Sequence, residues 1–169
     1  EMFDKLKRLR FHGIVKDSWE RYNSKGEFAY EVIEPGFKYN MMDIQAAIGL
    51  IQLEKLDDFN RRRWEIALKY DEFFNTIDHI ETQKSVSYEC FHAHHLYIIK
   101  LNVEKLKLSR DDFMQLLKDN NIGSGLHFTP IHLHKYYSEK YGYRKGSLPN
   151  TEFVGERMLS LPLFPKMTQ

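Results

Sequence analysis

The stretch Gly36-Phe37-Lys38-Tyr39-Asn40-Met41-Met42-Asp43-Ile44-Gln45-Ala46-Ala47-Ile48-Gly49 decides how this chain is read. Its first half is short and mixes glycine, aromatic and polar residues. It closes at Asp43, an acidic residue suited to the first turn of a helix. From there Ile44, Ala47, Ile48 and Ile51, with Leu50, Leu53 and Leu56, set apolar side chains on more than one side of a helix. A helix apolar over so much of its circumference is expected to be buried on two faces and to meet a partner surface. An amphipathic pattern continues over residues 60–74 through Trp64, Ala67, Leu68 and Phe74, widened by Ile66, Tyr70 and Phe73. Together the two segments predict one long helix with a bend.

On the amino-terminal side, Met2, Phe3, Leu6, Leu9 and Phe11 stand at near-helical spacing until His12-Gly13 stops them. Residues 17–36 change to an aromatic-rich text that predicts a connector with one hairpin around Ser24-Lys25-Gly26. On the carboxy-terminal side, residues 95–103 read as a strand. Tyr97, Ile99 and Leu101 lie on one face, Leu96 and Ile98 on the other, which predicts a covered central strand. Ser109 followed by Asp112 and then Phe113, Leu116 and Leu117 has the form of an N-capped helix ending at Asn120-Asn121. Residues 122–128 predict a second short strand. Its Gly123 and Gly125 mark a bulge or a close approach to the backbone, hence the edge of a site. A short helix is expected within residues 130–143 and turns at Gly142 and Gly146. A last helix is expected from Pro149, carrying Val154, Met158 and Leu161, before Leu161-Pro162-Leu163-Phe164-Pro165 ends regular structure.

The 169 residues are 42% hydrophobic and 14% aromatic, enough for one real core. Lys plus Arg number 25 against 24 Asp plus Glu. No overall field therefore draws the chain to nucleic acid or to a membrane surface, and neither is expected as a partner. Cys90 is the single cysteine, and a lone thiol fits a reducing, cytoplasmic setting. The longest apolar run, residues 46–51, is far too short to span a bilayer. The opening within a charged, helix-like stretch and the stop just after Pro165-Lys166-Met167-Thr168 resemble no natural terminus, so the chain is expected to be part of a longer protein.

Two histidine groups, His92, His94, His95 and His127, His132, His134, invite a metal reading. No carboxylate or thiolate stands at known zinc spacing and no His-Glu-x-x-His occurs, so no metal is expected. Arg61-Arg62-Arg63 sits beside Asp57, Asp58 and Glu65, the pattern of a solvated helix face with local ion pairs. Lys38 brings a full positive charge to the start of the Asp43 helix, where backbone N–H groups favour an anion such as phosphate; a lysine before a helix is also common for no such reason. His127 ends the glycine-bearing segment. It is read either as a donor to a phosphate or sugar oxygen or as a histidine satisfied by a backbone carbonyl.

Several blocks in order resemble one family, the DegT/DnrJ/EryC1/StrS aminotransferases. They are Leu9-Arg10-Phe11-His12-Gly13-Ile14, the quoted 36–49 stretch, His95-Leu96-Tyr97, Ser109-Arg110-Asp111, Ile122-Gly123-Ser124-Gly125-Leu126-His127-Phe128 and Leu161-Pro162-Leu163-Phe164-Pro165. The resemblance covers nearly the whole chain. It implies an α+β fold: the small carboxy-terminal domain of a pyridoxal-phosphate (PLP)-dependent transferase, with a long helix and a short antiparallel sheet packed against helices. Residues 1–40 would then be a connector from a large cofactor domain, and residues 41–169 the small domain.

The implied reaction passes an amino group from glutamate through PLP to a nucleotide-linked keto sugar, in polysaccharide or secondary-metabolite sugar biosynthesis, by a homodimer. The cofactor-linking lysine of the family precedes the position of Glu1, so no residue of this chain is expected to be catalytic and the piece alone is expected to be inactive. Relatives that carry histidine in place of that lysine dehydrate the sugar instead, and a non-catalytic interaction domain is the other alternative reading of the chain. By resemblance Lys38 and Asn40 stand where residues of one subunit reach the cofactor phosphate of the other. The family more often has asparagine and arginine there. Met42 replaces a small hydroxyl residue at the helix cap, leaving Asp43 to serve the first N–H groups. His127 matches a histidine near the nucleotide-sugar site.

Overall fold

The computed structural model describes residues 1–14, 30–84 and 86–168, in two compact units, Glu1–Glu54 and Lys55–Gln169. The hairpin expected around Ser24-Lys25-Gly26 lies outside the described residues. The division assigns the Asp43 helix to the first unit, whereas the boundary read from the sequence, between residues 40 and 41, assigns it to the second.

In the first unit, helix α1 (Met2–Leu9) is followed by a turn at His12 and Gly13, both left-handed with φ of 59° and 72°. This double turn brings the chain against residues 32–39. The Phe37 N–H donates to the Leu9 carbonyl at 2.7 Å, His12 N–H to Phe37 at 2.9 Å and Tyr39 N–H to Arg10 at 2.8 Å. The strands of chain run so close that glycine is required on both. A Cβ on Gly36 would stand 2.1 Å from the Gly13 nitrogen, and one on Gly13 would stand 1.8 Å from the Glu34 carbonyl oxygen. Arg8 adds a half-buried ion pair to Glu34 at 3.0 Å.

Helix α2 (Asp43–Glu54) follows. Its entry is satisfied by Gln45, whose Oε1 accepts the Met42 N–H at 3.0 Å, the reach-back half of a capping box. Burial on two faces is not what the structure has. Ile44 is 73% exposed and Leu50 and Leu53 are 64% exposed each. The described residues of its own unit cover only Ala46 in part. The helical run is interrupted at the single residue Lys55, whose dihedrals stay in the right-handed helical region at φ −93° and ψ −5°, and α3 (Leu56–Phe74) begins there in the second unit.

The second unit is built on a three-stranded antiparallel sheet. Strand β1 (Ile80–Thr82) pairs with β2 (Tyr97–Leu101), Ile80 opposite Leu101, and β2 pairs on its other side with β3 (Met158–Leu161), Tyr97 opposite Leu161. β2 is thus the central strand expected from its apolar pattern. Its alternation puts Tyr97, Ile99 and Leu101 into the core with Ala67 of α3 and Leu159 of β3. Between β2 and the last strand come α4 (Val103–Leu106), α5 (Arg110–Asp119), a 3-10 turn (Ile131–Leu133), α6 (Lys135–Tyr141) and α7 (Pro149–Gly155). The Ser109 hydroxyl caps α5 by accepting the Asp112 N–H at 3.1 Å, as its spacing predicts. Tyr70 and Phe74 of α3 and Phe113 and Leu117 of α5 close over the core. Among the described residues no helix is long and apolar enough to cross a membrane.

Two expectations change here. The helix from Pro149 stops at Gly155, and Met158 and Leu161 belong to β3 rather than to a helix face. Ladder bonds to β2 and near-complete burial of Leu159 outweigh the weak helical spacing of these residues. Residues 122–128 form no strand. They contribute one antiparallel bridge, Gly125 to Ser160, with N–H to carbonyl distances of 3.0 and 2.8 Å.

Ile99 is fully buried at the centre of the sheet. Ile99→Ala should lower unfolding free energy by about 2–5 kcal/mol, the range for truncating a packed aliphatic side chain. Ile44→Ala on the exposed α2 should cost under about 1 kcal/mol in the isolated chain. Urea titrations of both variants check the contrast.

Candidate functional site

The close backbone pairing of residues 9–14 with 32–39 determines how Lys38 is presented. Phe37 and Tyr39 stack on each other with ring centroids 5.1 Å apart, and Lys38, between them in the chain, lays its ammonium 4.3 Å from the Phe11 ring centroid. Asn40 is half-buried just before the α2 entry, and Lys38 is exposed. An ammonium and a carboxamide, on residues just before the first turn of a 12-residue helix, are each donors of the chemistry a phosphate takes. The capping residue expected at this entry was Asp43; the side chain bonded there is Gln45.

His127 belongs to the second unit. The Gly125–Ser160 bridge sets it beside β3, where its Nδ1 lies 3.0 Å from the Ser160 hydroxyl. That hydroxyl also donates to the Gly125 carbonyl at 3.2 Å. The absence of a side chain at Gly125 makes the cluster possible. A Cβ there would stand 2.7 Å from Cε1 of His127 and 2.8 Å from the Ser160 hydroxyl oxygen. The sequence marked Gly125 and His127 as a site edge but gave no weight to Ser160, which stood in what read as a helix. The His127–Phe128 peptide is cis.

A second polar centre went unread. His132 and Glu152 are both buried, with Nε2 to Oε1 at 2.9 Å. The same carboxylate accepts the Gly146 N–H at 2.8 Å through Oε2 and the Leu148 N–H at 3.1 Å through Oε1. Glu152 thereby pins the 142–148 turn to α7. The backbone N–H of Gly146, then the His132 ring and the Leu148 N–H, hold its carboxyl down to about 2 against an ordinary 4.5. Buried Glu beside an exposed-looking turn carries no sequence signature, which is why spacing missed it.

The other candidates disperse. His92 and His94 sit with rings 4.2 Å apart, and among the described residues no group of three or more His, Cys, Asp or Glu is placed to hold a metal. The arginine triplet engages in local pairing: Arg61 with Asp58, Arg62 with Glu65 at 2.9 Å and with the Met167 carbonyl at 2.8 Å, Arg63 with Asn60 at 3.3 Å. A cavity of about 710 Å³ lies among Tyr70, Phe74, Phe113, Leu117, Leu161 and Phe164. Its walls are mostly apolar, with Asn121 among them.

Comparison with known proteins gives a consistent picture. The family model described as the DegT/DnrJ/EryC1/StrS aminotransferase family matches residues 1–169. An uncharacterized protein of Methanocaldococcus jannaschii is 48% identical over 168 residues, covering 99% of this chain and 43% of that protein. The spore coat polysaccharide biosynthesis protein SpsC of Bacillus subtilis is 43% identical over 169 residues, again 99% of this chain and 43% of the relative. The chain therefore spans less than half the length of these curated relatives. Among solved structures, a candidate sugar aminotransferase of Streptococcus pneumoniae in its PMP form superposes with a TM-score of 0.85 at 27% identity, covering 99% of this chain and 41% of that one. The same protein has been solved in a PLP form.

Glu152 makes acid the test of its corner of the fold. Its folded pKa lies below the ordinary value, so its contribution to stability is complete above about pH 4.5 and is lost as pH falls toward 2. The urea midpoint of the wild type should fall through that window, and Glu152→Gln should be less stable at neutral pH with a shallower acid slope. Circular dichroism titrations across pH measure both.

Proposed function

The chain belongs to the DegT/DnrJ/EryC1/StrS aminotransferase family, and from this we propose that it is the supporting part of a PLP-dependent enzyme moving an amino group from glutamate to a nucleotide-linked keto sugar. The observation that carries the reading is the family match along all 169 residues. A relative named for spore coat polysaccharide biosynthesis supports a sugar destined for a cell-surface polymer.

PLP, when bound, supplies the electron sink for the transfer, and the protein supplies binding and orientation. In this reading Lys38 and Asn40 give a cation and an amide to the phosphate of the cofactor in the neighbouring subunit. A lysine ammonium there does by charge what the asparagine more usual at that position does by hydrogen bonding. Residues Gly13 and Gly36 hold this segment in place through their backbone contact. His127, held by Ser160, contacts the nucleotide sugar. The exposed apolar side chains of α2 support a homodimer, because fully burying an Ile or Leu contributes about 1.5–3 kcal/mol and α2 leaves Ile44, Ile48, Leu50 and Leu53 in water.

The test is made on the full-length protein loaded with PLP. Glutamate should change the cofactor absorbance and release 2-oxoglutarate, and a nucleotide-linked keto sugar should restore the starting spectrum. A cofactor that binds but does not respond to glutamate would instead favour sugar dehydration. His127→Ala should raise KM for the sugar substrate roughly five- to tenfold, as for the loss of one neutral hydrogen bond of ~1–1.5 kcal/mol. Lys38→Ala should weaken PLP retention with little change in KM for the sugar.

A further inference from the structure

Ser160 joins the proposed ligand contact to the core, and its single hydroxyl hydrogen has two claimants. The residue is 5% exposed, and its oxygen lies 3.0 Å from Nδ1 of His127 and 3.2 Å from the Gly125 carbonyl oxygen. If the hydroxyl donates to Nδ1, the ring carries its hydrogen on Nε2, and the carbonyl keeps only the Ser160 N–H at 2.8 Å. If the hydroxyl donates to the carbonyl, its oxygen accepts from Nδ1–H, and a chain runs from His127 through Ser160 to Gly125. The same atoms then make one more hydrogen bond. That bond contributes about 1 kcal/mol net in a buried setting, and bonds in series strengthen one another.

We propose that Ser160 is a positioning residue that holds neutral His127 in its Nδ1–H tautomer, so that Nε2 accepts a hydrogen bond from a sugar hydroxyl of the ligand. Nε2 has no partner among the described residues. The proposal rests on the reading of His127 as a ligand contact and deepens it by giving the bond a direction. A neutral ring held this way cannot donate to a phosphate oxygen, one of the two roles its sequence position allowed, and it selects for the hydroxyl-bearing part of a nucleotide sugar.

The tautomer is read directly from ring ¹⁵N signals of the full-length protein at about pH 8.5, above the usual imidazole pKa. The expected spectrum shows a protonated, pyrrole-type Nδ1 and a bare, pyridine-type Nε2 for His127. Ser160→Ala should move the hydrogen to Nε2, and Ser160→Thr, which keeps the hydroxyl, should preserve the wild-type pattern. A wild-type ring protonated at Nε2 overturns the proposal without need of any variant, as does a Ser160→Ala ring that stays protonated at Nδ1. Protection of the Gly125 and Ser160 amides from exchange reports that the bridge persists in the alanine variant. UDP-glucose, added as a nucleotide-linked hexose, should shift Nε2 in the direction of an accepted hydrogen bond. No shift at Nε2 removes the ligand reading on which the proposal rests, whereas a wild-type ring protonated at Nε2 overturns the proposal, Ser160 role and acceptor bond together, and leaves His127 as a ligand contact of the opposite, donating, sense.

Discussion

The second unit depends on β2 being dry on one face. Ile99 and Leu101 are fully enclosed and Tyr97 nearly so, and they meet Ala67 of α3 and Leu159 of β3. A strand this buried must satisfy its backbone on both edges, and it does so with β1 on one side and β3 on the other. The edges carry their own restraints. Lys100 faces Glu81 across the β1 pairing at 2.7 Å, and the Tyr97 hydroxyl donates to Asp71 of α3 at 2.6 Å. Burial of Tyr97 and the neighbouring Asp71 carboxylate push that phenol far above its ordinary value, so it stays a donor at any working pH.

Because β3 is required by β2, its other edge becomes available, and the chain pairs a further segment along it. The outward edge of β3 pairs with Gly125 through Ser160, and that one bridge draws His127 to a hydroxyl anchored in the core. A side chain that leans on a rigid element is held more precisely than one carried by a loop alone. Glu152 applies the same logic elsewhere in the unit, tying the Gly146 turn, α7 and His132 to a single carboxylate.

The first unit is organised differently, by backbone contact instead of side-chain burial. Only Ile14 is counted as buried and hydrophobic among its described residues. Its order comes from the hydrogen bonds between residues 9–14 and 32–39, which two glycines allow to approach. Such a framework can present Lys38 and Asn40 at the entry of α2, yet among the described residues of the unit only Ala46 of α2 is covered in part.

The sequence alone determined those elements whose pattern is local. The alternation of Tyr97, Ile99 and Leu101, the Ser109 cap, the stop at His12-Gly13 and the turns at Gly142 and Gly146 are each decided within a few residues, by sterics and by neighbouring hydrogen bonds. The order of motifs likewise identified the family, which matches the whole chain. What the sequence misassigned depends on contacts distant along the chain. Met158–Leu161 has helix-like spacing but is claimed by ladder bonds to β2, and residues 122–128 have strand-like composition but find only one bridge. Ser160 and Glu152 acquire their meaning only when residues 33 and 20 positions away are brought against them. Apolar spacing says that α2 seeks cover, but whether its own chain supplies that cover is a matter of tertiary packing, which leaves Ile44 and Leu50 exposed. A hydrogen bond or a buried contact between distant residues has no local signature, since its energy exists only once the fold has brought the partners together.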